Sequence, residues 1–172
     1  PSATHPGDKG ALPTPQVLTT TAPNVKDAAT SFLTAWKDGQ YQTMYDMLST
    51  LSKDAHTSED FIKYYRDSST SLTLKSLEFN IQSTLTNPDT AQANVDVMYH
   101  TNLFKDIERQ VLLNLTLEQG QWKIAWEEGA VLPELKGGNK LALDISVPSR
   151  GNILDRNGNT IAAESDAVAL GY

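Results

Sequence analysis

Apolar positions recur along this chain at two different spacings, and the change from one to the other divides it. Val25, Ala28, Ala29, Phe32, Leu33 and Trp36 fall every three or four residues, which places one apolar stripe along a helix. Asn24 is positioned as its N-cap, Asp27 adds negative charge near the positive end, and Gly39 offers a left-handed stop. A second, short helix is expected through Tyr41, Met44, Tyr45 and Leu48, fraying near Leu51. Thr57 or Ser58 caps a third, with Glu59 and Asp60 in the first turn and Phe61, Ile62, Tyr64 and Tyr65 on the buried side.

After Ser71 the period drops to two. Leu77, Phe79 and Ile81 alternate with polar residues, and Asn87-Pro88-Asp89 marks a turn. Ala91, Ala93, Val95, Val97 and Tyr99 then point one way while Gln92, Asn94, Asp96 and His100 point the other. Val111, Leu113, Leu115 and Leu117 repeat the pattern, and Gln119-Gly120 turns the chain into Trp122, Ile124 and Trp126. Four half-apolar strands in succession predict an antiparallel meander with one face against a core. About three helices ahead of such a sheet make an α+β fold, a cone in which the helices cover one side of a curved sheet.

The flanks have another texture. Residues 1–23 carry five prolines, many threonines and no periodic apolar face, which reads as an extended linker. Residues 24–138 form the folded unit, and Leu132-Pro133-Glu134-Leu135-Lys136-Gly137-Gly138 reads as a hinge closing it. Beyond the hinge, Leu141, Leu143, Ile145 and Val147 alternate as one more strand, broken by Pro148-Ser149-Arg150-Gly151. Residues 139–172 are thus expected to begin a second unit that is cut short. The chain starts at Pro1 and stops at Tyr172 with no obvious boundary signal, so an anchor or signal segment is expected upstream.

Composition then limits the chemistry. A hydrophobic fraction of 39% is enough for a real core, so the middle of the chain is expected to fold by burial alone. The net charge of −7, without a basic stripe interleaved with aromatics, argues against nucleic acid as a partner. There is no cysteine, which removes disulfides, thiolate nucleophiles and Cys-ligated zinc. His5, His56 and His100 stand apart from one another and from any acidic cluster with ligand spacing, and no glycine-rich phosphate loop is present. No catalytic residue, metal ligand or cofactor is therefore expected. Asp155-Arg156-Asn157-Gly158-Asn159 departs from a calcium loop in its glycine position and reads as a tight turn on Asn-Gly. Trp36, Tyr45, Tyr65, Tyr99, Trp122 and Trp126 are the candidates to line a pocket inside the cone, and the plain alternative is that they fill its core. Asp96 and His100 could join such a pocket only if their strand had the opposite register.

One stretch is more specific than periodicity. Arg150-Gly151-Asn152-Ile153-Leu154-Asp155-Arg156-Asn157-Gly158-Asn159-Thr160-Ile161-Ala162 resembles the signature that opens the pedestal region of class B penicillin-binding proteins, with Ile161 where leucine is usual. Residues 24–138 resemble the nuclear transport factor 2-like N-terminal domain of a subset of these proteins, the methicillin-resistance type among them. That likeness rests on Phe32-Leu33-x-x-Trp36-x-x-Gly39-x-Tyr41, the helix from Ser58 to Tyr65, Trp122-Lys123-Ile124-x-Trp126 and the Leu132–Leu135 hinge. The resemblance implies a parent transpeptidase that cross-links peptidoglycan outside the cytoplasmic membrane, held there by an N-terminal anchor. It implies a downstream transpeptidase domain of the same chain as partner, with peptidoglycan or cell-wall and division proteins as further candidates. Ser-x-x-Lys, Ser-x-Asn and Lys-Thr-Gly, which such catalysis needs, do not occur in the sequence. The expected role is that of a non-catalytic spacer; a peptidoglycan-binding or small-molecule-sensing module is the alternative, and an isomerase or dehydratase using the cone the remoter one. Arg150, Gly151, Ile153, Asp155, Arg156, Asn157 and Gly158 are read as structural residues of the pedestal junction, with Arg150, Asp155 and Arg156 forming charge-assisted bonds across a turn.

Overall fold

The computed structural model describes residues 23–146 and 151–162. The proposed linker, apart from Pro23, lies outside the described residues, as do Val147 and Arg150. Helix α1 spans Val25–Lys37, and Asn24 caps it by accepting the Lys26 amide proton at 2.9 Å. Gly39 follows at φ +69°, so the chain reverses there without a Cβ penalty.

The single short helix expected after Gly39 is two helices, which makes four α-helices among the described residues. Helix α2 is Tyr41–Asp46 and α3 is Thr50–Ala55. They break at Leu48 and Ser49 for two reasons. Ser49 is itself an N-cap, its Oγ accepting the Ser52 amide at 3.2 Å. The elbow also pairs with the sheet, the Ile124 amide donating to Met47 O and the Ser49 amide to Ile124 O. Helix α4, Ser58–Ser71, starts at a Thr57 cap that accepts the Asp60 amide at 3.1 Å.

The meander is present in the order β1-β2-β3-β4, with β1 Leu74–Thr86, β2 Thr90–Thr101, β3 Ile107–Glu118 and β4 Gln121–Ala125. Its register pairs Val97 with Phe79 and Arg109, and Tyr99 with Leu77 and Ile107. The odd positions of β2, from Ala91 to Tyr99, are buried together with Val111, Leu113 and Leu115 of β3. They close against Ala29, Phe32, Leu33 and Trp36 of α1 and Phe61 and Tyr65 of α4, so one core lies between helices and sheet. Gln119 and Gly120 both take positive φ, +49° and +77°, the twist a two-residue type I′ hairpin requires. Gln119→Asn should raise stability by about 0.5–1 kcal/mol, since asparagine tolerates the left-handed region better. An unchanged urea midpoint would contradict this.

The strand expected from Leu141 onward is absent: residues 141–146 carry no secondary structure. Alternation alone does not make a strand, which needs an edge to pair with. The elbow at 47–49 occupies part of the β4 edge, and Leu141 instead packs at the margin of the core. A separate two-stranded hairpin comes next, β5 Ile153–Leu154 with β6 Thr160–Ala162.

The folded unit has its chain ends far apart. Pro23 O accepts the Trp122 indole proton at 2.7 Å, and Trp122 pairs with Leu117 at one end of β3. Tyr99 donates to Val131 O, and Arg109 pairs with Glu134, so the outgoing chain leaves beside the other end of β3. Arg109 and Leu117 are separated by about 27 Å along an extended strand.

Candidate functional site

Four of the six aromatic candidates meet in the cone. Trp36 meets Tyr65 edge-on at 5.3 Å and Tyr99 at 6.0 Å, and Tyr65 lies 6.3 Å from Trp126. Phe61 joins them at 4.7 Å from Tyr65 and 5.2 Å from Trp126. The geometry is a consequence of spacing: Phe61 and Tyr65 are one turn apart on α4, while Tyr99 and Trp126 come from the inner face of the sheet and the residue just past it. The Trp126 indole donates to Tyr65 Oη at 3.0 Å, and the Trp126 amide donates to Ser52 Oγ at 2.9 Å.

The other two candidates are elsewhere. Tyr45 is half-buried on Phe61 at 5.7 Å and donates to His56 O at 3.0 Å, at the margin of the cone. Trp122 is buried at the far end of the sheet, on Pro23. Spacing along the sequence could not separate these two from the central four: the pairing of β4 with β3 sets Trp122 apart, and the packing of α2 on α4 sets Tyr45 apart.

The centre of the cluster is closely packed. Its walls touch: Phe32, Leu33, Tyr65 and Tyr99 have no exposed surface. Clefts among the described residues open on the outside. One, about 340 Å³, runs between α4 and residues 135–141 and is lined by Lys63, Tyr64, Ser68, Leu135 and Leu141 among others. The buried polar residues among those described are Ser49, Ser52 and Ser68, so no carboxylate or imidazole is held inside the cone. Burial pushes the Tyr65 and Tyr99 phenols well up from their ordinary range, and the Tyr64 phenol is pushed up to about 12 by burial, with the Glu128 charge adding. Such phenols stay neutral and supply no base near neutral pH. The Trp36 indole nitrogen and Tyr64 Oη are buried and have no hydrogen-bond partner among the described residues.

Asp96 and His100 lie on the outer face, as the register dictates. Asp96 accepts from Gln82 at 2.6 Å, and His100 Nδ1 sits 2.9 Å from Asp106. One approach was not readable from sequence: the His56 ring stands edge-on to Trp126 at 4.9 Å across seventy positions, at the edge of an outer cleft. No group of three or more potential metal ligands occurs among the described residues.

The signature turn is built around Asp155. Asp155 Oδ1 accepts the amides of Asn157 at 2.7 Å and Asn159 at 2.8 Å, and Oδ2 accepts the Asn159 side-chain amide at 3.0 Å. The expected bond from Arg156 to Asp155 is not among the ion pairs of the described residues. The carboxylate is satisfied by backbone instead, because an Asx turn brings amides to it with no long side chain to order. Those hydrogen bonds, the Asn159 side chain first, hold Asp155 below the usual carboxylate range. Gly158 supplies φ +85°, while Gly151 and Ile153 are exposed in the same hairpin. A lowered carboxyl pKa stabilises above the ordinary value of about 4 and is lost as pH falls through the folded value. Asp155→Ala should therefore release the Asn157 and Asn159 amides to solvent exchange at neutral pH; exchange rates equal to those of the unaltered chain would refute this reading of the turn.

Known proteins share both the sequence and the fold. A family model described as the NTF2-like N-terminal transpeptidase domain matches residues 24–139. Penicillin-binding protein 3 of Bacillus subtilis (strain 168) is 24% identical over 153 residues, covering 85% of this chain and 23% of its own length. The chain thus spans under a quarter of that relative. Among solved structures, a SEC-C motif containing protein from Rhodopseudomonas palustris aligns with a TM-score of 0.50 at 8% identity, over 61% of this chain and 77% of its own. A Campylobacter jejuni protein described as an NTF2-like transpeptidase aligns at 0.45 and 14%, over 60% and 99%. At 8% identity the likeness to the Rhodopseudomonas palustris protein speaks for the fold alone.

Proposed function

Because the chain belongs to the family of NTF2-like N-terminal transpeptidase domains, we propose that it is the non-catalytic spacer of a penicillin-binding transpeptidase, standing between a membrane anchor and the catalytic domain on the outer side of the cytoplasmic membrane. The observation that carries the spacer reading is the path of the chain. It enters the folded unit at Trp122 and leaves at Tyr99 and Arg109, about 27 Å further along β3. A domain threaded from end to end adds its own length to the distance between the segments on either side of it.

The three sequence motifs of the acyl-transfer reaction are missing from these residues. The nucleophilic serine of the parent is accordingly placed beyond Tyr172. The hairpin carrying Gly151, Ile153, Asp155, Arg156, Asn157 and Gly158 is then the first structure of the pedestal, and those residues shape it rather than contact substrate. In the parent, deletion of residues 24–138 is expected to change where or how efficiently peptidoglycan is cross-linked while leaving covalent labelling by a β-lactam intact. Loss of labelling in a deletion variant whose catalytic domain remains folded would sink the spacer reading.

A further inference from the structure

Asn157-Gly158 is the only Asn-Gly pair in the sequence. Every other asparagine is followed by Val, Ile, Leu, Pro, Lys or Thr, which crowd or remove the amide that comes next; glycine leaves it open. Both residues of the pair are exposed, and nothing lies within 4 Å of the point where a Gly158 side chain would begin. In that setting the electrophilic Cγ of an asparagine is one ring closure away from a nucleophile, the nitrogen of the following residue.

The turn restrains that nucleophile. The Gly158 amide donates to Asp155 O at 3.0 Å, so its proton is already committed. The conformation is held by the Asp155 carboxylate, with Oδ1 accepting the Asn157 and Asn159 amides and Oδ2 the Asn159 side chain. Ring closure needs the Gly158 nitrogen to leave Asp155 O, lose its proton and swing onto Cγ, so it proceeds from the opened turn.

We propose that Asn157 is a site of spontaneous deamidation and that the turn held by Asp155 sets its rate. The Gly158 nitrogen, its proton taken by a solvent base, attacks Cγ of Asn157. The Cγ–Nδ2 bond breaks, ammonia leaves with a proton from water, and a succinimide remains. Water then opens the ring at either carbonyl. Attack at Cγ gives aspartate in an ordinary backbone, and attack at the main-chain carbonyl gives isoaspartate, with the backbone running through the side chain. The net change is amide plus water to carboxylate plus ammonium, and nothing is oxidised or reduced. Either product sets a second carboxylate close to Asp155. The isoaspartyl form also lengthens the backbone between Leu154 and Thr160, which pair across the hairpin. Asp155 therefore protects the weakest bond of the turn it builds. This chemistry is independent of the spacer reading above.

The test incubates the full chain in warm, mildly alkaline buffer. Samples are digested with pepsin in acid, where ring closure is slow, and aspartyl and isoaspartyl peptides are separated and identified by mass spectrometry. Asn157 should convert with the isoaspartyl form in excess, while Asn152 and Asn159 of the same hairpin stay intact over the same time. Asp155→Ala should speed conversion roughly tenfold, the gain in open turn expected when the bonds to a charged acceptor are lost. The rate should approach, without exceeding, that of the chain unfolded in urea. Asp155→Asn keeps an oxygen for the amides and should fall between the two. Far-UV circular dichroism of each variant shows that the folded unit is intact. Absence of conversion at Asn157 in the folded chain, while the urea-unfolded chain converts, overturns the site. An unchanged rate in Asp155→Ala overturns the role of the turn. Aspartate formed without isoaspartate overturns the succinimide route, since it marks direct attack of water on the side chain.

Discussion

Replacing Trp126 with alanine is expected to lower the unfolding free energy by about 3–5 kcal/mol. Few single substitutions in this chain should cost more, because the side chain does two things at once. Its ring packs on Phe61 at 5.2 Å and Tyr64 at 5.5 Å, and its indole proton goes to Tyr65 Oη. Small domains are stable by only about 5–15 kcal/mol, so the variant should be marginal at best. Trp126→Phe separates the contributions: it keeps an aromatic ring and strands the Tyr65 hydroxyl, for a loss of about 1–3 kcal/mol. Urea unfolding followed by far-UV circular dichroism checks both. A loss below about 1 kcal/mol for Trp126→Ala would mean that the ring does not fill the cone.

The second large effect is alkaline. The Tyr65 and Tyr99 phenols are raised by burial, and Tyr64 to about 12. A phenol whose folded pKa exceeds its unfolded value of about 10 contributes its full stability below pH 10 and loses it as pH rises through the folded value. Stability should therefore stay level as neutral solution is made alkaline up to about pH 10, then fall steeply, with cooperative unfolding and tyrosinate absorbance rising in one step. Tyr65→Phe removes the most deeply buried titrating hydroxyl and should carry the alkaline transition to higher pH, even though it lowers stability at pH 7 by leaving the Trp126 indole unpaired. Independent titration of all the tyrosines near pH 10 within an intact fold would contradict the buried cluster.

The parts of this architecture that are legible in the sequence are those set by local periodicity. Val25 to Trp36 and Ala91 to Tyr99 bury the faces that their spacing of 3.6 and 2 implies, because a face turned to the core must be apolar whatever it meets. The features that escape depend on residues far away in sequence. The elbow between α2 and α3 exists because Ile124, some seventy positions later, bonds to Met47 and Ser49. Leu141 to Ile145 alternate like a strand yet find no partner, and pattern carries no information about free edges. Among the candidate pocket residues, composition can say that six aromatics exist, but only the register of β3 on β4 places Trp122 at the end of the sheet and leaves Trp126 in the cone. Asn-Gly places Asp155 in a turn, and its hydrogen-bond partners among the described residues are amides, because a short aspartate readily reaches its own backbone.

The most direct measurement of the central claim is to label the full-length parent with a tagged penicillin and locate the modified serine by peptide mass spectrometry. The account predicts one labelled serine, beyond Tyr172 and succeeded three residues later by lysine, in a polypeptide that also yields peptides from residues 24–138. Label on a serine within the 172 residues, or no label on any polypeptide containing them, would contradict it.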